Sequence, residues 1–312
     1  MTIKRIISFL PSATELIYEL GVQDMLYGVT HECNYPIEAQ KKPHVIRSII
    51  NSEELSSGEI NSQICNLLKE GKDIFILDEK ILRQSNPDLI ISQETCEVCA
   101  PYTNQVNKAI QILNKKPSIY LMDPHNLEEI LMTVTKLGQI LDKEVKSEEI
   151  KLKLEDRIHH VKKISNNENP KVLAIEWIDP FFSAGHWIPE MIEIVGGLNL
   201  ISKKEEQSRK ISMEEIINSN PEIIVLMPCG FSTRRTIEEY NNILKNNSDW
   251  SSLQAVKNNK VFAVNANSFF SKPSIRTITG LEILAKIIHP ENFSKLDVPK
   301  DSFCNVRDII MG

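Results

Sequence analysis

Residues 127–164 limit the folding of this chain more than any other stretch. From "LEEILMTVTKLGQIL" to "EEIKLKLEDRIHHVKKI", apolar residues recur three and four apart, and neither a proline nor a strand-like run interrupts them. That spacing predicts helix: one helix, a break near Lys143–Ser147, and a second long helix closed by "SNNENP" at 165–170. Short apolar runs alternate with amphipathic stretches on both sides of it. A single continuous sheet would have to be threaded around this helical block, so two separate sheets are expected.

The alternation before the block reads as strand at 4–9, helix at 12–21, strand at 26–30, helix at 59–71, and strands at 87–92 and 118–122. Ser12 and Glu15 have the spacing of a capping box, and Gly21 suits a helix end. After the block come a strand at 171–177, a helix across 187–197, a strand at 221–227, a helix over 233–246, a strand at 260–265 and a helix across 278–289. Strand–helix alternation implies mainly parallel sheets covered by helices. The expected fold is α/β: two Rossmann-like lobes joined by a long rigid helix. Residues 1–125 form the first lobe, 126–168 the connecting helical segment and 169–312 the second lobe. A ligand in such a fold sits at the carboxyl ends of the strands, here in a cleft between lobes.

Charge narrows the function. With Lys and Arg at 36 against Asp and Glu at 42, the net charge is −6, which disfavours a general nucleic-acid binder. The partner is expected to be a small molecule or another protein. No run of about 18 apolar residues exists, so no membrane span is expected. The opening residues lack a signal-peptide pattern, because Pro11, Ser12 and Glu15 break the apolar stretch and no small-residue cleavage site follows. A cytoplasmic chain is the expectation. No phosphate-binding glycine motif and no nucleophile elbow occurs.

Five segments after predicted strands carry the chemistry-bearing residues. "THECNYP" (30–36) supplies His31, Cys33, Asn34 and Tyr35, and "QETCEVCAPY" (93–102) supplies Cys96 and Cys99. "WIDPFFSAGHW" (177–187) supplies Trp177, Phe181, Phe182, His186 and Trp187. "PCGFSTRR" (228–235) follows the next strand, and "NANSFFSKP" (265–273) brings Asn267 and Phe270. The aromatic residues predict flat walls suited to a large planar ligand; the bland alternative is an aromatic cluster bracing the second lobe. His31, Cys33, Cys96 and Cys99 offer four ligands of the kind tetrahedral zinc takes. The same thiols otherwise read as free thiols in a pocket wall or packed core, or as a redox pair at Cys96 and Cys99. Cys65 is expected in the core, His159 and His160 on a solvated helix face, and Arg234 and Arg235 at an ordinary helix start. No residue stands out as catalytic.

The stretches "RIISFLPSATELIYELG", "GVTHECNYP", "SQETCEVCA", "DPFFSAGHWIPEMIEIVGG", "PEIIVLMPCGF" and "GLEILAKIIHPE" together make the chain similar to a known group. It resembles the cobalamin-binding proteins of the helical-backbone (class III) periplasmic-binding-protein-like family, a class that also binds haem and siderophores. "THEC", "CEVC" and "AGHW" look closest to a subgroup often lacking an export signal. The resemblance implies a cobalamin or related corrinoid ligand, held by loops that fall here on 31–36, 93–99, 177–187 and 267–273. His186 or His31 would approach the cobalt, and Asn34 and Asn267 would bond the corrin amides. It also implies a transporter or corrinoid-handling protein as partner, and a binding protein rather than an enzyme. A zinc protein or metal-dependent enzyme built on the Cys/His set is the alternative.

Overall fold

The computed structural model describes residues 3–93, 103–113, 115–165 and 169–308. These fall into two compact units. The first comprises the described residues within 1–55, 59–124 and 129–151; the second comprises 56–58, 125–128 and the described residues from 152 onward.

The first unit holds six strands: β1 (Ile6–Ser8), β2 (Leu26–Thr30), β3 (His44–Ser48), β4 (Phe75–Leu77), β5 (Leu89–Gln93) and β6 (Ser118–Met122). They order as β4-β3-β2-β1-β5-β6, all parallel except the β3–β4 pair. β1 and β5 lie in the middle and are buried along their whole length, as strands covered on both faces must be. Helices α1 (Pro11–Glu19), α2 (Ser57–Lys69), α3 (Glu79–Ser85), α4 (Thr103–Ile112), α5 (Leu127–Ile140) and α6 (Glu144–Ile164) complete this half of the chain. A core of Ile7, Phe9, Val45, Phe75, Leu82 and Ile90, with Val106 and Ala109 of α4, fills one face of the sheet.

Helix α1 starts two residues earlier than the capping-box pattern predicts. Leu10 is the extended N-cap residue and Pro11 takes the first helical position, where its fixed φ and missing N–H are tolerated. Ser12 therefore lies inside the helix and caps nothing. The break in the helical block falls at Leu141–Lys143, with Asp142 at φ 53. α5 and α6 then cross closely at Gly138, where a Cβ would collide with the Ser147 side chain.

The second unit contains β7 (Lys171–Trp177), β8 (Phe182–Ser183), β9 (Leu198–Asn199), β10 (Arg209–Lys210), β11 (Ile223–Leu226), β12 (Val261–Val264) and β13 (Phe303–Asn305). β7, β11 and β12 form a parallel centre, while β8, β10 and β13 add antiparallel edges and β9 pairs in parallel with the start of β7. Its helices are α7 (Ile188–Ile194), α8 (Met213–Ser219), α9 (Thr233–Ile243), α10 (Ser248–Ser252), α11 (Gln254–Lys257), α12 (Ala266–Phe269) and α13 (Thr277–Ile288). Trp250, fully buried, is the largest side chain in a core built from Leu173, Ile175, Ile224, Leu226 and Ile237. Short β8, β10 and β13 have too few residues for a period-2 pattern, which explains why sequence periodicity does not reveal them.

The carboxyl half of α6 is fastened to α13 by one ion pair. Arg157 donates from Nε to Glu282 Oε1 at 2.9 Å and from Nη2 to Glu282 Oε2 at 2.7 Å and Thr279 Oγ1 at 2.8 Å. Glu282 is only 8% exposed, so removing the guanidinium strands a buried carboxylate. Arg157→Met is expected to cost about 3 kcal/mol in urea unfolding. Arg157→Met/Glu282→Met should recover most of that loss; a double variant as unstable as the single one would contradict this account.

In the first unit Asp88 accepts hydrogen bonds from the Lys4 and Arg5 amides at 3.0 Å each and from Lys115 Nζ at 2.8 Å. The Lys115 bond, followed by the two amides and the Lys115 charge, holds its carboxyl below the usual carboxylate range despite an opposing desolvation effect. A carboxyl depressed on folding stabilises the fold above its unfolded pKa near 4 and loses that contribution as pH falls through its lower folded value. Asp88→Asn should therefore flatten the acid limb of the stability curve below about pH 4. An unchanged acid limb would remove Asp88 from that role.

Candidate functional site

The carboxyl end of the parallel centre of the second unit is the best-built candidate site. β7, β11 and β12 are neighbours in that sheet, so the segments following Trp177, Leu226 and Val264 emerge at one edge. Two of them are stitched together. The Asn267 amide donates to the Phe231 carbonyl at 3.0 Å, and the Gly230 amide donates to Ser271 Oγ at 3.1 Å. The Cys229 amide donates back to the Glu176 carbonyl of β7 at 3.0 Å.

Trp177 is half-buried, and several contacts fix its orientation. Its Nε1 donates to the carbonyls of Asp179 at 3.0 Å and Ser57 at 3.2 Å. Phe231 meets it edge-on at 5.5 Å, and the Arg235 guanidinium lies 3.7 Å from the Phe231 ring centroid. Ser57 is itself anchored, its amide donating to the buried Glu239 carboxylate at 2.7 Å. Phe182 lies directly opposite Trp177 across the β7–β8 pair and is also half-buried. Asn267 is half-exposed and its Oδ1 accepts from Lys272 Nζ at 2.7 Å. The edge thus offers flat apolar faces, the Asn267 amide and the cationic side chains of Arg235 and Lys272.

The segment 177–187 turns back as a hairpin. β8 runs back along β7, pairing Ser183 with Ile175, which carries His186 and Trp187 away from the strand end where the sequence order placed them. Trp187 is 5% exposed and donates from Nε1 to the Phe270 carbonyl at 3.2 Å; Phe270 is 3% exposed. Phe181 stacks on Trp250 with ring centroids 6.0 Å apart and packs against the core. Trp187 and Phe270 are thus buried in the interior, whereas Phe181 is half-buried with its ring against the core. His186, half-buried at φ 55, bonds Glu206 and Glu205 through its backbone and stacks on His125 at 5.9 Å. His125 and Phe231 are the site neighbours that sequence reading missed. "MDPHN" carries no periodic signal, and Phe231 sits in a turn.

In the first unit, Asn34 and Tyr35 are exposed after β2, Tyr35 by 44%. His31 Nε2 accepts from the Ser48 amide at 3.4 Å, and Cys33 is 1% exposed with Sγ 3.1 Å from Thr14 Oγ1. Cys96 and Cys99 lie outside the described residues. Among the described residues no group of three or more His, Cys, Asp or Glu could hold a metal ion. His31 and Cys33 are spent on local packing and bonding, so the zinc reading gains no support from them. Cys65 is exposed on α2, not in the core.

Residues 6–267 match the sequence profile of the family described as periplasmic binding protein. The chain is similar to "Uncharacterized ABC transporter substrate-binding lipoprotein YvrC" of Bacillus subtilis (strain 168), 25% identical over 303 residues, or 94% of this chain and 82% of that one. Among solved structures it is similar to the periplasmic vitamin B12 binding protein BtuF of Vibrio cholerae (TM-score 0.64, 22% identity, 92% of this chain and 96% of that one). It is also similar to S. aureus IsdE complexed with heme (TM-score 0.68, 18% identity, 91% and 98%). These likenesses establish the two-lobe α/β fold. They overturn the cytoplasmic location, since the relatives so named are a lipoprotein and a periplasmic protein; breaks in the apolar run near residue 11 are no guide to location. No helix among the described residues is long and apolar enough to cross a membrane. With its profile matched over most of its length, and its fold shared with those structures, the chain belongs to the periplasmic binding protein family.

Proposed function

We propose that this chain is a substrate-binding protein of the ABC-transporter type whose ligand is cobalamin or a related corrinoid. The observation that carries the reading is the aromatic edge of the second unit. Trp177 is held by two hydrogen bonds and backed by Phe231, and Phe182 stands beside it across the strand pair. A planar macrocycle gains most from apolar faces that are rigid before it arrives, because little side-chain freedom remains to be lost. Asn267 on the same edge suits the amide side chains of a corrin, which accept and donate as an asparagine does. The resemblance of the motifs to cobalamin-binding proteins and the likeness to a vitamin B12 binding protein support the same ligand class.

A titration of the purified chain with aquocobalamin, followed by corrin absorbance, tests the reading. Saturable binding at micromolar ligand is expected, with haem binding more weakly under the same conditions. Tighter haem binding would assign the edge to haem instead. Trp177→Ala should weaken cobalamin binding by about tenfold or more, the scale of losing one large buried aromatic contact. Trp177→Phe, which keeps a ring but drops the Nε1 bonds, should fall in between. An unaffected Trp177→Ala variant would exclude this edge as the corrin platform.

A further inference from the structure

Helix α9 buries a carboxylate on a face that does not pack into the core. Ile237, Tyr240 and Leu244 fill the core, where Tyr240 meets Trp250 edge-on at 6.4 Å. Arg235 and Glu239, four residues apart and so neighbours on the helix surface, serve the surroundings of Trp177 instead. The Arg235 guanidinium covers the Phe231 ring that backs the indole. Glu239 is 6% exposed, and its Oε1 accepts from the Ser57 amide at 2.7 Å. Burying a carboxylate is costly unless its bonds repay the loss of water, so what this one holds in place matters.

Ser57 opens α2 and lies in the short stretch 56–58 that belongs to the second unit. Its amide is held by Glu239, and its carbonyl accepts from Trp177 Nε1 at 3.2 Å. The other acceptor of that indole is the Asp179 carbonyl at 3.0 Å. Asp179 belongs to the same contact, because a Cβ on Gly58 would run into its carboxylate. Ser57 is fully buried, and among the described residues its hydroxyl has no partner. Its side chain therefore does not fix it. The amide and carbonyl of one residue are joined through a single Cα, so whatever holds the amide also places the carbonyl.

We infer that Glu239 is a positioning residue for ligand binding: it holds Ser57, whose carbonyl orients the Trp177 ring. This rests on the reading of Trp177 as the corrinoid platform. Glu239 touches no ligand; it acts by removing rotamer freedom from the indole before the ligand arrives. A carboxylate beside a helix N-terminus also interacts favourably with the dipole, and that role alone would stabilise α2 without acting on Trp177. Substitutions separate the two roles. Gln keeps an acceptor oxygen for the Ser57 amide and drops the carboxylate, whereas Leu keeps the bulk and drops the acceptor.

Two measurements on the full chain test the assignment. The chain has three tryptophans, Trp177, Trp187 and Trp250, and Trp177→Phe identifies the indole N–H resonance of Trp177. Glu239→Leu is expected to shift that resonance and speed its exchange with solvent, with those of Trp187 and Trp250 nearly in place. Glu239→Gln is expected to leave all three as in the parent. In aquocobalamin titrations Glu239→Leu should bind about fivefold more weakly, the scale of one net hydrogen bond, and Glu239→Gln as the parent does. Trp177→Phe/Glu239→Leu should bind no more weakly than Trp177→Phe alone. Glu239→Asp, which withdraws the oxygen by one methylene, should behave as Glu239→Leu does and decides the matter if the Leu variant fails to fold. An unmoved Trp177 resonance, an equal loss in Glu239→Gln, or a further loss in the double variant would overturn the assignment while leaving the corrinoid reading intact. If the parent binds no corrinoid, the corrinoid reading fails and the resonances alone decide. A shift confined to Trp177, present in Glu239→Leu and absent in Glu239→Gln, would then support the positioning role; no shift would overturn it.

Discussion

Asp88 fixes the place from which the first unit is built. Its carboxylate takes the Lys4 and Arg5 amides just before β1 and the Lys115 ammonium just before β6. Its own amide donates to the Arg5 carbonyl, and its carbonyl accepts from the Ser118 amide. Three parallel strands are thereby aligned at their amino ends by one residue. Because a parallel pair shifted by one residue would exchange the faces on which its side chains pack, that alignment also decides what stands at the carboxyl ends. The second unit repeats the device. Glu222 accepts from the Lys171 amide at 2.7 Å, and its amide donates to the Lys171 carbonyl. "PDLII" at 87–91 and "PEIIV" at 221–225 are the same construction: a proline, an acidic residue that pins the neighbouring strand, and a buried run.

What was legible in the sequence follows from how locally each feature is determined. β6 and β7 span their apolar runs, and the helical block divides into two helices a few residues before the expected break, because periodicity and the want of a proline are local facts. The capping boxes show the limit. Ser12–Glu15 and Ser212–Glu215 have the same pattern, yet only the second forms, with Ser212 Oγ accepting from the Glu215 amide and the Glu215 carboxylate accepting from Ser212. The difference lies one residue upstream of Ser12, where Pro11 seizes the first helical position and moves the start of the helix.

The burial of the aromatic residues was not legible for a different reason. Position after a strand says which end of a sheet a residue follows, but not whether its ring turns inward. In "DPFFSAGHW" the chain reverses into β8 after only a four-residue turn, and that reversal depends on β7 finding an antiparallel partner. Trp177 and Phe182 remain at the edge, whereas Phe181 reaches Trp250 and Trp187 reaches Phe270. One loop thus furnishes both a candidate platform and the core beneath it, and no pattern of residue types separates the two.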